Sequence, residues 1–284
     1  MINIVAILSS FYPNLDDLER NTNSYLPWIS KLIIWENTPK EDSYIDQLVD
    51  RLNSDKIEVR TTGKNEYLAY PFNQCIRWAQ SEGYTHVLTM DQDSCFAEGH
   101  FEKYINSIED YQQTNVAVFG PSSNSREQVK LFAEEVDHIF ISGAIFPVDT
   151  FLEQGGFNEE LVIDSIDSDY CFRCKKNNLQ TIVFKDIFLQ HQIGYRYKHW
   201  SGLIIVPYSA QRTYYFLRNT LWLWKQYPQY FTKSYKRSFV KYRIVYRSLK
   251  IIFEKETIRK LSAIVFAIWH YKRKKLGRFD IFSK

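Results

Sequence analysis

Two aspartates separated by a single residue, at the end of an apolar run, have the spacing to hold a hard divalent cation. Residues 84–94 read Tyr-Thr-His-Val-Leu-Thr-Met-Asp-Gln-Asp-Ser, a short strand running into Asp91 and Asp93. Residues i and i+2 of extended backbone point the same way. Both carboxylates can therefore face one cavity at the strand's carboxyl end, the edge where open α/β sheets bind ligands. Oxygen donors of this kind suit Mg²⁺ or Mn²⁺ better than zinc, and such an ion draws its remaining ligands from water and a substrate diphosphate. The same residue types also cap helices and build turns, so the pair alone leaves both readings open. A second acidic group, Asp164, Asp167 and Asp169, precedes a helical stretch; such acids either cap the helix and favour its dipole or supply a general base. A glycoside hydrolase would need two carboxylates flanking the scissile bond, and Asp91 and Asp93 lie too close together in sequence to do that.

The elements that must position these residues alternate. Residues 2–8, 31–35, 57–61 and 84–90 have the short, β-branched, apolar character of buried strands, and residues 15–25, 44–52 and 71–81 that of the helices between them. This order predicts an α/β protein with a parallel sheet covered by helices on both faces. Further strands are expected at 116–119, 139–146 and 181–184, with helices at 149–154 and 169–177. From residue 208 onward the chain reads as helical. No G-x-G-x-x-G follows a strand and no Walker sequence occurs, which removes support from dinucleotide and P-loop readings.

Composition bounds the rest. With 45% hydrophobic residues the 284-residue chain can bury a full core, and 17% aromatics suit a flat or sugar-like ligand as well as core packing. The start lacks a basic leader and no run of 18 apolar residues appears, so a cytoplasmic protein is expected. Cys171 and Cys174 form a C-x-x-C, but within an expected helix, and Cys75 and Cys95 supply no second pair at zinc-site spacing. A net charge of +3 conceals an asymmetry: from Thr232 onward 16 Lys or Arg face 3 acids, whereas the remainder carries 20 bases against 30 acids. A tail of this kind meets an anionic surface, either a membrane or a nucleic acid, unless it is simply a solvated bundle. The apolar stretch 261–269 is too short to span a bilayer but can lie at its surface.

Several segments in order resemble the inverting glycosyltransferases of family 2, which have the GT-A fold, and among them bacterial rhamnosyltransferase-type enzymes. These are Ser9-Ser10-Phe11, Glu36-Asn37-Thr38, Lys64-Asn65-Glu66-Tyr67-Leu68-Ala69 with Asn73, Asp91-Gln92-Asp93-Ser94, Ser142-Gly143-Ala144 with Gly155-Gly156-Phe157, the 163–170 acidic segment with Arg173, His191-Gln-Ile-Gly, and Arg212-x-Tyr214-Tyr215-x-x-Arg218-Asn219. The similarity runs over roughly residues 2–220. Glu66-Tyr67 departs from the glycine common in the family.

The resemblance implies a GT-A-like nucleotide-binding domain with a mixed, mainly parallel sheet over residues 1–206, followed by a basic helical region over 207–284. It assigns Asp167 as catalytic base; Asp91, Asp93 and His191 to Mn²⁺ or Mg²⁺; Ser9, Phe11, Glu36, Asn65, Asp91 and Gln92 to the nucleotide; and Gly143, Asp169, Arg212, Tyr215 and Arg218 to the acceptor or diphosphate. Asp164 is then the candidate helix cap. The implied donor is dTDP-L-rhamnose, with a UDP-hexose (galactose or N-acetylglucosamine) as the alternative. The acceptor would be a saccharide or lipid-linked saccharide in surface-polysaccharide or capsule synthesis. With the basic tail, this places the enzyme at the inner face of the plasma membrane, held peripherally by anionic lipid and without a nucleic-acid partner. A non-catalytic protein binding nucleotide sugars or nucleic acid is the reading from another class.

Overall fold

The computed structural model describes residues 2–122, 132–191, 197–198, 204–205 and 208–282. The chain divides into two compact units, one of Met1–Phe157 with Asp167–Gln192, the other of Asn158–Ile166 with Ile193–Lys284. The boundary expected at 206/207 falls on residues outside those described.

The first unit begins with β1 (Ile4–Ser10), every residue of which is buried, as expected for a central parallel strand covered on both faces. Helix α1 (Leu15–Asn23) starts where the Asn14 side chain accepts the Asp17 N–H, with Asp16 and Asp17 in its first turn. Both features satisfy a helix N-terminus. Then follow β2 (Lys31–Glu36), α2 (Ile45–Leu52), β3 (Ile57–Arg60), α3 (Ala69–Ser81), β4 (His86–Asp91), β5 (Ser94–Phe96), α4 (His100–Glu109), β6 (Val116–Ser122), β7 (Ala133–Glu135), β8 (Ala144–Pro147), α5 (Val148–Glu153), α6 (Ile166–Lys176) and β9 (Gln180–His191). Helix α3 buries Phe72, Cys75, Ile76 and Ala79, the one-sided spacing of a helix lying on a sheet.

Among the described residues the nine strands form one sheet in the order β3-β2-β1-β4-β8-β6-β9-β5, with β7 also on β9. Strands β3, β2, β1 and β4 run parallel, and β6 runs parallel to β9. Strand β8 is antiparallel to both β4 and β6. The fold is thus the mixed, mainly parallel α/β sheet of a GT-A-like protein.

Two strands differ from expectation. The run 139–146 becomes extended only at Ala144, because Gly143 adopts φ +77° and ends the preceding turn. A Cβ there would approach Pro121 to 2.8 Å and Leu189 to 2.9 Å, so the position takes only glycine. Strand β9 continues well past Phe184, to His191. Lys185 and Asp186, beyond the end of the expected strand, pair with Glu134 and Lys103.

The cysteines are free. Burial pushes the thiols of Cys75 and Cys171 up to about 12 and that of Cys174 to about 11, which makes them poor nucleophiles and metal ligands.

The second unit contains the short antiparallel pair β10 (Tyr197–Lys198) and β11 (Ile204–Ile205), then α7 (Ala210–Gln226), α8 (Lys233–Phe239), a π-helical turn over Val240–Val245, α9 (Tyr246–Ile251) and α10 (Thr257–Lys272). Its core holds Tyr214, Ile251, Ala263 and Ala267. The apolar stretch expected to lie outward at 261–269 is split: Ala263, Ile264 and Ala267 point into this core, whereas Val265 and Trp269 are exposed. No helix among the described residues is long and apolar enough to cross a membrane.

Candidate active site

Register brings the site together. Ser9 of β1 pairs with Asp91 of β4 in parallel, so the two strands end at the same carboxyl edge of the sheet. Three residues later β5 begins, and its antiparallel pairing sets Ser94 opposite His191 of β9. The strand that follows the D-x-D segment thereby carries the histidine back beside it. One ligand atom from each of Asp91, Asp93 and His191 lies within 4.8 Å of the others.

The donor set suits a hard divalent ion with one imidazole, as Mn²⁺ accepts. Asp93 Oδ1 is shielded from solvent and has no hydrogen-bond partner. His191 Nδ1 stands 3.3 Å from it and already meets Ser94 Oγ at 2.6 Å. A shielded carboxylate oxygen without a donor is costly unless a cation compensates it. The three residues therefore fit a divalent metal.

Neighbouring groups fix the geometry of this edge. The Asp91 N–H donates to Ser142 Oγ at 3.1 Å. Gln92, between the two acids, accepts the Phe11 N–H at 2.8 Å and donates to the Phe11 carbonyl at 3.2 Å, while Asn21 donates to the Gln92 carbonyl at 2.9 Å. The middle residue of D-x-D thus binds the loop after β1. Ser142 belongs to a segment that carried the resemblance, but Asn21 had no signal of its own in the sequence, since a lone Asn becomes a support only when the chain folds it against the segment.

Other expected nucleotide contacts turn inward on the protein. Glu36 is buried, accepting from the Thr38 N–H at 2.6 Å and from Ser10 Oγ at 3.4 Å. Asn65 accepts the Tyr67 N–H at 2.8 Å. Ser9 Oγ accepts from Asn37 Nδ2 at 3.0 Å, and Asn37 also accepts the Glu66 N–H at 2.8 Å, tying the 65–67 loop to β1. Phe11 and Tyr12 remain outward, 43% and 47% exposed, with their rings packed edge to face.

Asp167 sits in the first turn of α6 and is partly exposed. Burial of the carboxyl raises its pKa above the usual carboxylate range, partly offset by the Ser168 N–H at 2.7 Å and by His138. Asp169, one strand of the acceptor expectation, is instead buried and paired with Arg173 at 3.4 Å. Arg173 donates to the carbonyls of Gln154 and Gly156, anchoring the Gly155-Gly156 loop. Asn73, quoted with the 64–69 segment in the resemblance, holds the same loop from α3 by exchanging two 2.9 Å hydrogen bonds with the Phe157 backbone. Gly143 donates its N–H to the Thr89 carbonyl at 2.8 Å.

In the second unit, Arg212 is exposed and faces Asp164 at 3.6 Å. Arg218 and Tyr215 are fully buried. The Arg218 guanidinium donates to Asn219 Oδ1, the Tyr214 hydroxyl and the carbonyls of Gly277, Glu160 and Leu161, so its donors are taken within the unit. This corrects the expectation that Arg218 reaches an anionic ligand: its charge is spent on packing. Tyr215 similarly accepts the Phe279 N–H at 2.9 Å. Of the expected His-Gln-Ile-Gly segment, only His191 is described.

Comparison with known proteins agrees with this arrangement. Residues 36–173, from the end of β2 through most of α6, match the family model described as Glycosyl transferase family 2. A curated relative, the dTDP-rhamnosyl transferase RfbF of Shigella flexneri, is 24% identical over 242 residues, covering 78% of this chain and 79% of that protein. The solved structure of GalNAc-T7 with UDP, GalNAc and Mn²⁺ shares the fold, with a TM-score of 0.60 at 12% identity over 84% of this chain. The chain spans half the length of that structure's chain. Family match, fold and acid–histidine cluster together support glycosyltransferase activity with a divalent metal cofactor.

Proposed function

We propose that the protein is an inverting glycosyltransferase that moves L-rhamnose from dTDP-L-rhamnose onto a saccharide or lipid-linked saccharide acceptor of a cell-surface polysaccharide. The convergence of Asp91, Asp93 and His191 at the carboxyl edge of the sheet carries the reading. The name of the Shigella relative supports the donor. Asp91, Asp93 and His191 would hold Mn²⁺ or Mg²⁺, which when bound supplies Lewis-acid neutralisation of a departing diphosphate.

The chain's own residues supply the rest. Gln92 fixes the loop bearing the exposed Phe11 and Tyr12 rings, an apolar surface against which a base can lie. Asp167 accepts the acceptor hydroxyl's proton as its oxygen bonds to the anomeric carbon, while the bond from that carbon to the diphosphate oxygen breaks and the nucleoside diphosphate departs. In-line displacement inverts the anomeric centre. The raised pKa makes Asp167 a stronger base than an ordinary carboxylate, and general-base help is typically worth about 10² to 10⁴ in rate.

A UDP-hexose is the second donor reading, favoured by the fold shared with a structure solved with UDP and GalNAc. Calorimetric titration of dTDP and UDP in the presence of Mn²⁺ separates them. Tighter binding of dTDP is expected; tighter binding of UDP would transfer the reading to the second donor class.

A further inference from the structure

The π turn, α9 and the two residues that follow it present an apolar stripe to solvent rather than to a core. Tyr242, Val245, Tyr246, Leu249, Ile252 and Phe253 recur at helical spacing, and each is 43–59% exposed. The opposite side of the same stretch packs inward through Phe239, Ile251 and Glu254, which are buried. Glu254 is already neutralised there by Arg247 and by Lys260 at 2.9 Å. The stripe is therefore a second, outward apolar face and no misplaced core.

Its charge surroundings are one-sided. Residues 233–250 contain seven Lys or Arg and no acid. Lys241 and Lys250 lie over the rings of Tyr242 and Tyr246, at 5.1 and 4.9 Å, so cations and aromatic rings share the face. Beside the stripe an open cavity of about 500 Å³ is lined by Val240 and Val245, with Lys236, Arg237 and Lys241 around them. The i→i+5 geometry of the π turn places those two valines, five residues apart, on one wall.

We propose that this face of the second unit docks on an anionic lipid surface. The apolar and tyrosine side chains would enter the headgroup–acyl boundary, the flanking cations would meet lipid phosphates, and the cavity would receive one anionic headgroup. Amphipathic helices with aromatic and aliphatic residues on one side and Lys or Arg beside them bind membranes in this way, and a cationic face without acids is attracted to anionic leaflets. A second copy of the chain fits less well, because a self-complementary contact would bring the same cations together. The proposal does not depend on which sugar is transferred.

Flotation of the full chain with phosphatidylcholine vesicles, with and without phosphatidylglycerol, tests it. The parent is expected to float with anionic vesicles at least about tenfold more than with neutral ones, and to keep a salt-resistant fraction, because apolar burial is not screened. A Val245→Glu, Leu249→Glu, Ile252→Glu variant is expected to lose flotation at least about tenfold at both salt concentrations. A Lys241→Glu, Lys250→Glu variant, which leaves the apolar stripe intact, is expected to lose only the salt-sensitive part. Circular dichroism and retained Mn²⁺-dependent nucleotide binding report that the variants are folded. Equal flotation of parent and triple variant would overturn the proposal, as would equal binding to neutral vesicles. A parent that fails to float but sediments as a dimer, which the triple variant abolishes, would assign the face to a second copy instead.

Discussion

The carboxyl edge of the sheet and the interior of the second unit use charged side chains in opposite ways. At the sheet edge, Asp93 keeps a shielded oxygen without a hydrogen-bond donor beside a histidine. In the second unit, Glu254 is more deeply buried but held by both Arg247 and Lys260, and Arg218 is surrounded by acceptors. Burial alone therefore does not mark a functional charge. What separates the two regions is whether the protein itself completes the coordination or leaves it for something else to complete.

Opening the completed network around Glu254 should have the largest effect. Glu254→Ala leaves Arg247 and Lys260 without their counter-charge, and removing one partner of a buried pair costs about 3–5 kcal/mol. A large fall in the denaturation midpoint is expected; an unchanged midpoint would show that the network is not structural.

Asp167→Asn sharpens the functional side. Turnover is expected to fall at least about 10²-fold with donor affinity little changed, measured by steady-state kinetics and nucleotide titration. In the parent, turnover should rise with pH through a pKa above the ordinary carboxylate range, because the protonated acid cannot accept a proton. The stability effect has the opposite sign. A carboxyl whose pKa is raised in the folded state loses stability as pH rises from its unfolded pKa through its folded one. Asp167→Asn is therefore expected to stabilise the protein at neutral pH, with the difference vanishing at acid pH. A base that costs stability is the signature of a functional group, and a destabilising Asp167→Asn would place it with the structural charges.

A smaller effect should come from the backbone that supports the edge. Gly143→Ala forces a side chain into φ +77° and against Pro121 and Leu189. Such a change should cost about 1–3 kcal/mol, read from thermal or denaturant unfolding. No loss would mean that the turn before β8 relaxes freely.

Much of the edge was legible in the sequence because it depends on local spacing. Alternation in extended backbone puts Asp91 and Asp93 on one side, and a short apolar strand announces where the sheet ends. His191 was legible only by resemblance to a family. Its strand was expected to end at residue 184, because the charged Lys185 and Asp186 interrupt the apolar run until Glu134 and Lys103 pair with them across space. Arg218 misled in the other direction: the resemblance assigned it to the acceptor or diphosphate, and arginines are mostly exposed, so nothing local announced its burial. The carbonyls of Glu160, Leu161 and Gly277 that engage it come from distant parts of the chain. The outward stripe at 242–253 has the periodicity of a core face, and no local pattern distinguishes which way such a face turns.

Asp93 tests the account most directly. Isothermal calorimetry of the parent and Asp93→Asn with dTDP and UDP, each with and without Mn²⁺, measures whether its incomplete coordination is a metal position. Metal-dependent binding is expected in the parent and is expected to vanish in the variant, which should keep the parent's unfolding midpoint within a narrow margin. Equal metal-dependent affinity in both proteins would contradict the assignment.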